Sequence, residues 1–140
     1  MNTTRRVTVA MLAIVTLVVG YYAVSWRFDK RWTIVRIDQA VRAGLPIGAD
    51  RGQAEAWFRS MKIPFHYKEY ANSSNFDKYG NETVAEMANL RQAELNGLVR
   101  AVIENANISW MWNGHIDVYV FFNLNEKVVG YLFVPRVESF

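Results

Sequence analysis

The sequence predicts an α+β fold behind a transmembrane helix: two short helices packed on an antiparallel sheet of about four strands, with a helical insertion. Three observations carry this reading. Residues 7–26 form an uncharged apolar run. Helical spacing of apolar residues then occurs twice before Pro64. Beyond residue 97 apolar side chains alternate with others, the period of a strand. Helices gathered ahead of an antiparallel sheet give a two-layer sandwich rather than alternating βα units.

The first segment is VTVAMLAIVTLVVGYYAVSW. Twenty residues rising about 1.5 Å each span roughly 30 Å, the thickness of a bilayer's hydrocarbon core. Tyr21, Tyr22 and Trp26 gather at one end, where amphipathic rings favour the membrane interface. Arg5 and Arg6 flank one side, and Arg27, Lys30 and Arg31 the other. The chain is therefore divided into a tail and signal-anchor helix (1–26, the helix at 7–26), a basic stem (27–32) and one small α+β domain (33–140). A cleaved signal peptide fits the same segment, since Ala23-Val24-Ser25 matches the small-x-small cleavage pattern. Orientation draws on two opposed rules. Lys/Arg counts put the C-terminal side in the cytoplasm, whereas a signal-anchor with a short tail leaves its N-terminus inside.

Composition narrows the function classes. With 51% hydrophobic residues the domain can build a core. Cys is absent, which excludes disulfides, thiolate catalysis, Cys-ligated zinc and a lipidated cysteine. The net charge of +3 belongs to the membrane flanks: from Ile37 onward ten Lys/Arg face twelve Asp/Glu. A nucleic-acid binder needs a basic face that tracks phosphates, so no nucleic-acid partner is expected.

Within the domain, Ile34, Ile37, Val41 and Leu45 recur at helical spacing, giving a helix over 33–43 with Gly44 just past its end. Pro46 and Gly48 turn the chain. Asp50 caps a second helix, with Gln53 three residues on as in a capping box; Ala54, Trp57, Phe58 and Met61 form its apolar face. Pro64 stops it. Residues 65–70 read as a strand and 71–82 as a polar loop. Val84, Met87 and Leu90 to Leu95 give a further helical pattern ending near Asn96-Gly97. Residues 98–104 read as a strand, 105–113 as a turn region and 116–123 as a clean alternating strand. A turn at 123–127 leads to a last strand over 128–137, in which Pro135 marks an edge or the strand's end.

No catalytic constellation, metal site or cofactor is expected. His66 and His115 have no acidic or histidine neighbour at helical spacing, so both read as surface residues. Asp117, Glu126 and Glu69 read as carboxylates on a solvated face rather than an acid/base pair. Asn123-Leu124-Asn125-Glu126 lacks the spacing, glycine and closing Glu of a calcium loop and reads as a hairpin. The Asn-x-Ser/Thr triplets at Asn2, Asn72, Asn81 and Asn107 are glycan acceptors only in a eukaryotic secretory setting. If one sheet face is covered by helices, the other offers a candidate interaction surface at Trp110, Trp112, Tyr119 and Phe121. An alternative is a ligand-binding or enzymatic site at Trp110, Trp112, His115 and Asp117.

The stretches GLPIGADRGQAEAWF with IPFHY, and HIDVYVFFNLNEKVVGYLFV, resemble the SmpA/OmlA-type, BamE-like domain and its relative, the β-lactamase-inhibitor-protein repeat. The resemblance covers about residues 33–137 and lies in the Ile47-Gly48 turn and the hairpin at 121–129. An insertion at 71–97 and the missing lipobox cysteine depart from the family. The resemblance implies an extracytoplasmic module, and no functional residue carries over. The expectation is a non-enzymatic single-pass protein of the cell membrane, in a bacterium the inner membrane. Its partners would be the lipid bilayer, through the helix, and another envelope protein.

Overall fold

A computed structural model of the 140-residue chain describes residues 3–27, 31–70, 81–109 and 112–138. Two compact units result, Met1–Arg31 and Trp32–Phe140.

The first unit is helix α1, Thr3–Arg27. Its span Thr3–Ser25 is long and apolar enough to cross a membrane, and none of it is buried in protein. The Thr8 and Thr16 hydroxyls donate to the carbonyls of Thr4 and Leu12 four residues back. This internal pairing satisfies the two hydroxyls within the helix itself. Arg5 and Arg6 belong to its first turns rather than preceding it, while Tyr21 and Tyr22 stand exposed near its other end, their rings edge to face.

The second unit is α+β. Helices α2 (Ile34–Gly44) and α3 (Arg51–Ser60) precede strand β1 (Phe65–Glu69). A short helix α4 (Asn81–Met87) and a 3-10 turn (Gln92–Glu94) follow, then β2 (Leu95–Asn107), β3 (Asn113–Asn123) and β4 (Val128–Val137). The four strands form one antiparallel sheet in the order β1-β2-β3-β4.

Local chemistry sets the helix boundaries. The Thr33 hydroxyl accepts from the Arg36 amide and starts α2. At α3 the capping box is complete: Asp50 Oδ1 accepts from the Gln53 amide at 2.8 Å, and the Asp50 amide donates to Gln53 Oε1 at 3.0 Å. Gly48 has φ +92°, a conformation that needs no Cβ. Gly44 is the last residue of α2, not the residue after it, and packing explains it. A Cβ there would stand 2.1 Å from the Trp57 indole nitrogen, so the glycine lets the ring lie against the helix.

Strand alternation divides side chains between two faces. Phe65, Tyr67, Val99, Ala101, Ile103, Ile116, Val118, Val120 and Phe122 share one face by register. They form one apolar cluster with Ile37 and Val41 of α2, Leu45, and Ala54 and Phe58 of α3. The opposite face carries Leu98, Tyr119 and Phe121, clustered with Tyr70, Ala85 and Leu95 and flanked by Val84, Ala88 and Leu90.

Three local expectations are corrected. The pattern from Leu90 to Gly97 is not one α-helix: α4 ends at Met87, a 3-10 turn of three residues follows at Gln92–Glu94, and Leu95 to Gly97 already belong to β2. A backbone pair between Gly97 and Glu69 outweighs the local periodicity. Met61 is 37% exposed, because it caps α3 and leaves the buried side of the helix. Asn107 is 4% exposed, so the asparagine of that triplet lies inside the fold while Ile108 and Ser109 are half-buried.

The corner at 44–51 docks on the β3–β4 hairpin. Gly48 N donates to Val128 O and Val128 N to Ala49 O, both at 2.8 Å, and Arg51 N reaches Glu126 O at 3.0 Å. At the hairpin itself, Asn123 Oδ1 accepts from the amides of Asn125 and Lys127, and Glu126 takes φ 56°. Asn123 thus closes a turn with its side chain.

Candidate functional site

Two polar clusters lie on opposite faces of the sheet. At the hairpin end, Arg51 of α3 sits among Glu55, Glu126 and Tyr67. Its Nε is 3.1 Å from Glu55, its Nη1 3.3 Å from Glu126, and its guanidinium lies 3.4 Å from the Tyr67 ring centroid. Asn96 donates to the Tyr67 hydroxyl at 3.0 Å. Burial raises the Tyr67 pKa, and Arg51 opposes that shift. Every charge in this cluster has an opposite partner, and the cluster ties helix, strand and hairpin together.

The second cluster centres on Asp117 of β3, whose side chain is 1% exposed. Arg136 of β4 approaches Asp117 Oδ2 with Nε at 2.6 Å, and Arg100 of β2 approaches Oδ1 with Nη2 at 3.5 Å. The hydrogen bond and charge of Asp117 hold the Arg136 pKa above its ordinary value. Two guanidinium groups share one carboxylate, so the cluster carries one surplus positive charge. Because Arg136 is the closer partner, that surplus falls on Arg100. The Arg100 Nε is buried and donates to no acceptor among the described residues.

Arg100 also lines a cleft of about 590 Å³ with Trp32, Lys62, Pro64, His66 and Glu104, floored by Val102 and Ile103. A shallower depression of about 700 Å³ lies between α2 and α3 at Gly44, Ile47, Gly48 and Trp57. Ile47 is 62% exposed at its rim.

The residues singled out from sequence fall in separate places. Tyr119 and Phe121 are 6% and 0% exposed, which corrects their reading as an open interaction surface: the segment containing Ala85 and Leu90 packs over them. Trp112 is 48% exposed next to the β2–β3 connection. Trp110 and Lys30 lie outside the described residues, as do the side chains of Trp26 and Arg27. His115 is half-buried at the register position of Arg136. Neither Trp112 nor His115 lines either cleft. Asp117 and Glu126 are not a carboxylate pair, since each is held by a different arginine. Asp117 is also no surface residue, which corrects its reading as solvated. Among the described residues no three His, Asp or Glu side chains are placed to hold a metal ion.

The chain matches no family model, no curated protein and no solved structure. Its chemistry is therefore read from its own geometry. Sequence reasoning missed Arg51, Arg100, Arg136 and the Trp32 cleft. One signal was present for Asp117. It shares strand parity with Tyr119 and Phe121, and a carboxylate in that company needs a cationic cover once the face is buried.

Proposed function

We propose that this chain is a single-pass membrane protein whose α+β unit is held at the membrane surface and works by binding another protein. The observation that carries this reading is the pairing of an apolar helix of 23 residues, wholly unburied, with a separate unit that completes its own core. A soluble domain would bury such a helix; a bilayer gives it the one other apolar surrounding. The unit is extracytoplasmic in this reading, at the inner membrane of a bacterial cell, and serves envelope assembly. The resemblance to BamE-like domains supports that placement through two short helices, a Pro46–Gly48 turn and a late hairpin ahead of the last strand.

Three measurements test it. The full-length chain stays in the membrane pellet after alkaline carbonate washing, and protease added to spheroplasts digests the α+β unit. A soluble mature form beginning near Trp26 overturns the anchor, and protection from protease overturns the orientation. Crosslinking in native membranes followed by mass spectrometry is expected to return one specific protein partner. Repeated failure to do so overturns the binding role.

A further inference from the structure

The sheet is unequal at its β1 edge. Strand β2 has thirteen residues, but β1 pairs only with the positions from Gly97 to Ala101. The next residue back along the chain is Pro64, which has no amide hydrogen to extend the ladder, and the chain turns away there. No described strand pairs with β2 on this side from Val102 until Asn107. There the edge is occupied again: the Asn107 amide donates to the Trp32 carbonyl at 2.8 Å, and Thr33 forms a parallel bridge with Asn107. The gap from Val102 to Ala106 is about 16 Å of strand at roughly 3.3 Å per residue. It coincides with the 590 Å³ cleft, which lies within the usual range of roughly 300–1,000 Å³ for ligand sites.

Open strand edges are normally blunted, and a bulge is one device for this. A bulge does lie between Ile103 and Ala106, with Asn105 at φ 52°. It shortens the usable edge without closing it, because Val102 and Ile103 remain in register with β3. The flank at Thr33 shows that backbone can pair with this edge beyond the bulge.

The side chains around the gap have one prevailing sign. Trp32, Met61 and Pro64 give apolar walls, while Lys62 and Arg100 stand against the single carboxylate of Glu104. The surplus charge of the Asp117 cluster falls on Arg100, whose side chain is 41% exposed.

We propose that this gap is a docking slot for a short extended peptide carrying acidic side chains. The peptide adds to β2 between Pro64 and Thr33, its backbone meeting the open edge and its carboxylates meeting Lys62 and Arg100. Main-chain bonds supply affinity in such strand addition, and the flanking side chains supply specificity. This inference rests on the protein-binding role proposed above and names the surface and chemistry of the partner.

The test uses the full ¹⁵N-labelled chain in detergent micelles, titrated with the peptide acetyl-Thr-Val-Glu-Val-Glu-Thr-amide. Saturable amide shifts are expected at Val102, Ile103 and Ala106, with the corresponding lysine peptide at least tenfold weaker. Lys62→Glu should weaken the acidic peptide several-fold while leaving the unfolding midpoint unchanged, since Lys62 is exposed. No shift at those amides, or equal binding of both peptides, overturns the proposal. So does the same response to inorganic phosphate alone or to anionic phosphatidylglycerol vesicles, which would make the site a general anion or lipid contact. If the titration fails while membrane crosslinking still returns a specific partner, the slot falls and the binding role stands. If neither gives a partner, both fall.

Discussion

The two faces of one sheet are buried by different means. Side chains of one strand, β3, point alternately into each, so the same backbone serves both. On one side Ile116, Val118, Val120 and Phe122 meet two capped helices that bring Ile37, Val41, Ala54 and Phe58. On the other, Tyr119 and Phe121 meet a seven-residue helix and the turn that follows it. The first cover was legible because its helices are amphipathic and punctuated. The second was not, because a helix of two turns has too little periodicity to declare its buried side. A face covered by a short segment is nonetheless closed, and its polar residue, Asp117, must be neutralised within it.

Large-to-small substitutions test this difference most directly. Phe58→Ala in the helix-covered core is expected to cost about 3–5 kcal/mol, read from urea unfolding of the full chain in detergent by tryptophan fluorescence. Phe121→Ala is expected nearer 3 kcal/mol, since a short cover can settle into the space and the cost depends on that relaxation. Equal losses would break the distinction between the two covers.

Alkaline pH acts most strongly on the second face, although burial also raises the pKa of Tyr67 and Tyr131 on the first. Burial raises the Tyr70 pKa to about 12 from an ordinary value of 10. The folded state therefore keeps a proton that the unfolded chain releases. Stability is fully present below pH 10 and declines as pH rises toward 12, by roughly 1–3 kcal/mol in all. Tyr70→Phe should remove most of that decline. A variant that follows the wild-type curve between pH 9 and 11 would show that Tyr70 is not the group responsible.

Asp117→Asn removes the charge beneath Arg100 and Arg136. Loss of one member of a buried ion pair is strongly destabilising, but these arginines are 41% and 56% exposed and can turn to water. About 1–3 kcal/mol is the expected cost. A neutral effect would mean that the second face tolerates an uncharged residue there as readily as an exposed site. The smallest effect belongs to the first face: Asp50→Ala, which deletes one arm of the capping box, should cost about 1 kcal/mol. Thermal unfolding monitored by circular dichroism resolves it, and restoration by Asp50→Ser would assign the loss to the cap.

Particular residues show how much was legible. Asp50 with Gln53, Gly48, Pro64 and the Asn123 hairpin act within a few positions of sequence, and each was placed correctly. Strands read at 65–70, 116–123 and 128–137 followed from alternation, but the region 105–113 read as a turn holds the end of β2 at Asn107 and the start of β3 at Asn113. The segment at 90–97 failed, because its apolar spacing fits a helix while its backbone partner, Glu69, lies more than twenty residues away. Met61 failed because it falls at a helix end. The candidate cleft was not legible at all: Trp32, Lys62, His66 and Arg100 meet only because β1 is shorter than the strand it pairs with.

Sequence alone determined the apolar helix, the α+β class, the caps and turns, and the exclusion of cysteine chemistry. These depend on composition or on contacts between near neighbours. Tertiary structure decided that both faces of the sheet are closed, that Asp117 is shared by two arginines, and that no described strand pairs with the edge of β2 beside Arg100. Each of those depends on strand register and strand length. Register brings together residues separated by tens of positions, and no local pattern encodes which of them will meet.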